Sequence, residues 1–298
     1  MRKLTLLVAI VSLFVLLTAC SNDKEEIIIS GKPWTEQYIL PYLLGYVIED
    51  KTDYNVVYND GLGEVSILTP AIEKGEIDLY VEYTGTGLMD VLELDTEPGE
   101  SPESVYERVK AGYEEKFNVT WLDPLGFENS YALAYRGNSD YEVETITELA
   151  ELTQQQEMVF GAPHSFYERK GEGYDDLVRV YPFEFADTKS LDPNIMYDAL
   201  KNGEVDVIPA FTTDSRIQLF ELNTTTDDQF LFPVYDAVPI VRMETLEKFP
   251  ELEEALSHLA GQISEEEMLQ MNAKVDIDKE KPEDVAREFL IEKGIITK

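Results

Sequence analysis

The chain has 298 residues, with 60 acidic against 24 basic side chains and a net charge of −36. Such a balance repels nucleic acid and anionic membrane surfaces, which argues against either as a direct binding partner, while salt screening limits the pull it exerts on small cations. Hydrophobic residues at 44% suffice for packed cores, and a single cysteine excludes internal disulfides.

In chain order, Arg2 and Lys3 open a positive segment, the apolar run LTLLVAIVSLFVLL ends at Leu17, and small residues precede Cys20. The run is too short for a comfortable membrane span and carries the flanks of a secretory signal. Leu17-Thr18-Ala19-Cys20 resembles a bacterial lipobox, which implies cleavage before Cys20 and a lipid on its thiol. Residues 1–20 then form a signal peptide, residues 21–26 a polar tether, and about 278 residues remain for one large domain or two ordinary ones.

IIIS at 27–30 predicts a buried strand, left by the loop GKPWTEQ. Thr35 is expected to N-cap a helix through Ile48, with Ile39, Leu40, Leu43, Leu44 and Val47 on one face. YNVVYND predicts a second strand, GLGEVSILTPAIEKGE a helix and IDLYVEY a third strand. This alternation predicts an α/β fold with a mostly parallel sheet covered on both faces. SPESVYERVKAGYEEKF predicts a helix capped by Ser101, with Glu103 and Glu107 in its opening turns. At VTWLDPLGFENSYALAYRG a polar turn and an apolar run predict a crossing into a second lobe. That lobe repeats the alternation from ITELAEL to VDVIPAF, with a strand at EMVFGA and a helix at 192–202, before FLFPVYDAVPIVR crosses back. Helices at about 244–258, 264–271 and 282–293, the last begun by Pro282, are expected to pack on the first lobe. Lobe 1 is thus 21–129 with 236–298, and lobe 2 is 130–235.

One segment occurs twice. AIEKGEIDLYVEYTGTG begins at Ala71 and ALKNGEVDVIPAFTTDS at Ala199, aligned without a gap: Gly75 with Gly203, Glu76 with Glu204, Asp78 with Asp206, Tyr83 with Phe211, Thr84 with Thr212. Each copy reads as the last turns of a helix, a Gly stop, a short strand and an aromatic at the strand's exit. That exit is where open α/β sheets bind ligands. Two lobes, two crossings and one copy of this segment per lobe describe a hinged clamp with a ligand cleft between its lobes.

Catalytic signatures are absent. The histidines are His164 and His258, and the second falls within a helical pattern. GLGEVS lacks the full dinucleotide fingerprint, and DVLELD and ISEEEM lack the spacing of a calcium loop, so neither a cofactor nor a metal is expected. An exported enzyme on this scaffold would depend on His164, the one candidate base near the cleft. The positive signal is aromatic: 17 Tyr and 13 Phe beside 2 Trp. Tyr83, Tyr131, Phe211 and Tyr235 are expected at strand exits, one per repeat and one per crossing. A quaternary ammonium has no N–H for a carboxylate, and each aromatic face attracts it by roughly 0.5–2 kcal/mol. Three or four rings would support micromolar affinity after the cost of association.

GKPWTEQYIL, GEIDLYVEYTGTGL, LGFENSYALAYR, YDALKNGEVDVIPAFTTDSRI and FPVYDAVPIVR resemble, in order from about Ile27 to the C-terminus, the substrate-binding proteins of osmoprotectant ABC importers. This glycine betaine/carnitine/choline-binding group implies a two-lobed periplasmic-binding-protein fold of type II. It also implies delivery of a compatible solute to an ABC permease. The resemblance places the tyrosine cage on Tyr83, Tyr131, Phe211 and Tyr235, with Phe211 where the family pattern has Tyr. It places the partners of the ligand's carboxylate on Lys32, Thr86 and Arg169, with Lys32 and Arg169 in opposite lobes. A Thr at 86 donates a hydrogen bond to a betaine carboxylate, whereas an Asp would suit choline. The alternative is a binding protein of the same build for another small solute, such as an amino acid or ectoine.

Overall fold

The computed structural model describes residues 26–96, 100–169 and 171–297. The expected signal peptide, Cys20 and the expected tether through residue 25 lie outside the described residues. The first lobe starts with strand β1 (Glu26–Ser30), helix α1 (Thr35–Lys51), β2 (Asn55–Asn59), α2 (Val65–Lys74), β3 (Leu79–Tyr83), α3 (Pro102–Phe117) and β4 (Val119–Trp121). The second holds β5 (Tyr131–Arg136), α4 (Ile146–Thr153), β6 (Val159–Ala162), α5 (His164–Glu168), α6 (Tyr174–Val180), β7 (Asp187–Ser190), α7 (Pro193–Lys201), β8 (Val207–Phe211), α8 (Ser215–Leu219) and β9 (Leu222–Thr224). The chain then returns through β10 (Ala237–Arg242) to α9 (Met243–Lys248), α10 (Leu252–Ser257), α11 (Glu265–Asp276) and α12 (Pro282–Glu292).

Two five-stranded sheets result, ordered β2-β1-β3-β10-β4 and β7-β6-β8-β5-β9. Position by position they match. The first three strands of each are parallel, and the fourth is a crossing strand that runs antiparallel beside β3 or β8. All five residues of β3 are buried, as both-face coverage requires. Leu79, Val81 and Tyr83 join one core with α1 and the C-terminal helices, while Tyr80 joins another with α2 and α3.

The duplicated segment is the joint that fixes the third strand in each lobe. Gly75 (φ 75°) and Gly203 (φ 74°) take the left-handed conformation that ends a helix, and Glu76 and Glu204 donate back to Ala71 and Ala199, both at 2.9 Å. Asp78 then clasps the first strand: its N–H donates to the Ile28 carbonyl at 2.8 Å, and its Oδ2 accepts from the Ile28 N–H at 2.8 Å. Asp206 repeats both bonds with Val159 at 2.8 and 2.9 Å.

Three expectations are corrected. Thr35 is the first residue of α1 rather than its cap; Trp34 holds the cap position, and the Thr35 hydroxyl donates to Asp276 at 2.6 Å. The helix expected at 244–258 is two helices, because Pro250 supplies no N–H and disfavours helical geometry at Phe249. The strand β1 begins at Glu26, one residue into the expected tether. Ser101 caps α3 as expected, accepting from Ser104 N at 3.2 Å.

The crossings touch at an antiparallel bridge between Glu128 and Asp236. Burial, reinforced by the Glu265 and Asp236 carboxylates, pushes the Glu128 carboxyl up from 4.5 to about 7. A raised acid pKa means the folded chain holds a proton that the unfolded chain has released. The stability this group contributes is therefore full below about pH 4.5 and is lost as pH rises to about 7, by about 3 kcal/mol. Glu128→Gln removes that slope, so it should match the wild type at pH 4.5 and exceed it at pH 8 in urea denaturation. A variant with the wild-type slope would exclude Glu128 as the source.

Candidate ligand-binding site

The site lies where the sheets' third strands end. Tyr83 and Phe211 are the last residues of β3 and β8, as expected. Tyr131 and Tyr235 are not at strand exits: Tyr131 is the first residue of β5, and Tyr235 precedes β10 by two residues. The antiparallel register explains why they still meet the others. Tyr131 pairs with Phe211 and Ala237 with Tyr83, so the crossing strands begin beside the ends of the strands they flank.

A cavity of about 790 Å³ opens there, and all seven side chains singled out in the sequence line it: Lys32, Tyr83, Thr86, Tyr131, Arg169, Phe211 and Tyr235. Tyr131 stacks on Phe211 with centroids 4.7 Å apart, backed edge-on by Phe166 at 5.6 Å. Phe211 is 44% exposed, so its ring serves the cleft rather than a core. The Tyr235 ring rests on Gly85, where a Cβ would come within 2.7 Å of it. Tyr83, 4% exposed, donates its hydroxyl to the buried Glu36. Burial, with Glu36 beside Tyr83 and Glu172 beside Tyr235, holds these phenols far up in the neutral form. Burial raises the Tyr131 phenol too. The rings therefore face the cleft as neutral π surfaces.

The cations lining the cavity are Lys32, Arg169 and Arg216, and each is paired: Lys32 with Glu82, Arg169 with Glu172, Arg216 with Asp214. Lys32 is 2% exposed and stands 5.1 Å from the Tyr83 ring centroid and 5.4 Å from that of Trp34. Glu36 differs. Besides Tyr83 it accepts from the Asn129 and Asn272 amides, both at 3.2 Å, so these three partners are neutral donors.

Sequence reasoning missed Glu36, Asn129, Asn272 and Glu172. Asn272 reaches the site from α11, and its amide also donates to the Thr213 carbonyl at 2.9 Å, so the last helices tie the two lobes together. No local pattern marks it. Glu36 and Asn129 stand inside quoted motifs, GKPWTEQ and FENS, and a polar side chain within a few positions of the singled-out Lys32 and Tyr131 was the available signal. His164 does not line the cavity: its side chain is 76% exposed and 3.4 Å from Glu168, while Phe166 on the same helix is buried.

The chain matches the profile of the substrate binding domain of ABC-type glycine betaine transport systems over residues 25–292. The carnitine transport binding protein OpuCC of Listeria monocytogenes is 34% identical over 283 residues, covering 92% of this chain and 91% of that protein. The ergothioneine transport permease/ergothioneine binding protein EgtU of Helicobacter pylori is 32% identical, over 92% of this chain and 48% of that protein. A crystal structure of a glycine betaine/carnitine/choline ABC transporter superposes with a TM-score of 0.83 at 29% identity, over 90% of this chain and 99% of that one. The two-lobed fold, the cleft at the strand ends and a match covering nearly the whole described chain agree: this protein belongs to the family of substrate-binding domains of ABC-type glycine betaine transport systems.

Proposed function

We propose that this protein captures a quaternary ammonium compatible solute of the glycine betaine, carnitine or choline type and delivers it to an ABC permease. The observation that carries this reading is the convergence of four aromatic side chains from both lobes and both crossings on one cavity. Tyr83, Tyr131, Phe211 and Tyr235 form the cage in this reading, and Lys32, Thr86 and Arg169 are the groups nearest a ligand carboxylate. We take the lobes as 21–129 with 236–298 and 130–235, which is supported by the membership of the two sheets. The protein acts as a carrier and not as an enzyme. It works outside the cytoplasm, held by a lipid on Cys20, and no helix among the described residues is long and apolar enough to cross a membrane. The permease partner is supported by EgtU, whose name joins permease and binding protein.

The test is a thermal-shift and titration panel on protein lacking residues 1–20, with glycine betaine, carnitine, choline, ectoine and amino acids. A true ligand at a hundredfold over its dissociation constant adds about 2.7 kcal/mol to folding stability. Tyr131→Ala should weaken that ligand by about tenfold, the value of a partly dry cation–π contact. Stabilisation by ectoine or an amino acid alone, with affinity indifferent to Tyr131, would establish the alternative.

A further inference from the structure

The loop after α5 sets a carboxylate on the cation that the family resemblance gives to the ligand. Gly171 has φ 89°, a left-handed conformation, and its N–H donates to Asp176 at 2.6 Å. At Gly173 a Cβ would collide with the carbonyl oxygens of Phe166 and Arg169. These two glycines fold the loop back and hold Glu172 between them, 8% exposed. One Glu172 oxygen binds Arg169 Nη1, and the other lies 3.4 Å from the Tyr235 hydroxyl. The Arg169 guanidinium in turn stands 5.6 Å from the Tyr131 ring centroid. Glu172 thus touches one of the cleft's two lobe 2 cations and one cage ring, and through Arg169 it reaches a second.

We propose that Glu172 is a specificity-determining residue that weights the cleft toward quaternary ammonium ligands without a carboxylate. The inference rests on the quaternary-ammonium reading of the cleft. A ligand carboxylate that reaches Arg169 must displace Glu172 or share the guanidinium with it, and two like charges at one cation repel. A ligand carrying only the ammonium leaves the pair intact and meets no competing carboxylate of its own at Arg169. The discrimination is thus a repulsive element set against one ligand class.

The experiment is titration calorimetry of wild type and Glu172→Gln with choline and with glycine betaine. The isostere frees Arg169 and removes a negative charge near the cage. Glycine betaine should tighten about tenfold while choline weakens a few-fold, as close charge pairs allow. Glu172→Asp keeps the charge and should keep the wild-type preference. In a double-mutant cycle, Arg169→Met should cost glycine betaine more in the Glu172→Gln background than in the wild type. A choline-to-betaine ratio that stays within about threefold of the wild type, or an additive cycle, overturns the proposal. A wild type that binds neither of these nor carnitine sinks the proposed function instead, and carnitine stands in for glycine betaine if it alone binds. Should Glu172→Gln melt well below the wild type, Glu172→Ala is read by the same ratio.

Discussion

Lys32→Met is expected to lower folding stability by about 3–5 kcal/mol, measured without ligand by urea denaturation. The ammonium of Lys32 pairs with Glu82, and the two side chains are 2% and 0% exposed. Glu82 also accepts from the Tyr83 N–H at 2.8 Å and the Tyr80 hydroxyl at 3.3 Å, which are neutral donors. Removing Lys32 leaves a carboxylate in the core of the first lobe with those two bonds and no countercharge. The net worth of the pair is smaller than the cost of breaking it, since both charges were desolvated on folding. Lys32→Met combined with Glu82→Met should therefore recover much of the loss, and that non-additivity separates an orphaned charge from lost packing. In a chain of this size the single variant should melt roughly 5–9 °C lower. A Lys32→Met protein within about 1 kcal/mol of the wild type would show that water or a protonated Glu82 relieves the charge.

Much of the fold was written in local sequence, and the exceptions have local causes. Periodicity finds α1 because Ile39, Leu40, Leu43, Leu44 and Val47 share a buried face, and the repeat finds β3 and β8 because Gly and Asp mark their joints. The break at Pro250 was visible in the residue itself, yet the apolar pattern on either side masked it. Tyr83, Tyr131, Phe211 and Tyr235, which line the cavity, were found as aromatics beside strand ends. Their direction was misjudged at Tyr131 and Tyr235, because antiparallel insertion of β5 and β10 is a property of the sheet and not of the segment. Long-range partners were illegible: nothing near Asn272 says that it meets Glu36, 236 positions away. Lys32 was placed at the cleft by the resemblance carried by GKPW, and it lines the cavity, but its pairing depends on Glu82 facing the same space.

Thr84→Val should cost about 2–4 kcal/mol, and Thr212→Val less, because the repeat extends past the strands into the hinge. Thr84 is 0% exposed; its hydroxyl donates to the Val234 carbonyl at 3.0 Å and accepts from the Asp236 N–H at 3.1 Å. Thr212 does the same to the other crossing, donating to the Glu128 carbonyl at 3.0 Å and accepting from the Ser130 N–H at 3.3 Å. Each third strand thus pins the crossing that runs beside its end, and the two pinned segments meet at Glu128 and Asp236. Valine keeps the shape and removes both bonds, leaving a carbonyl and an N–H to find other partners. At Thr84 the surroundings are dry, and at the half-buried Thr212 water can replace the hydroxyl. Thr84→Ser keeps the hydroxyl and should stay near the wild type. Urea denaturation gives the energies, and amide exchange locates them: Thr84→Val should speed exchange at Asp236, and Thr212→Val at Ser130. Equal losses for both variants, or exchange raised evenly along the crossings, would count against the pinning. The repeat then reads as one device used twice. A lobe needs an aromatic at the cleft and a fixed pivot behind it, and a strand that ends in Tyr-Thr or Phe-Thr provides both with adjacent residues.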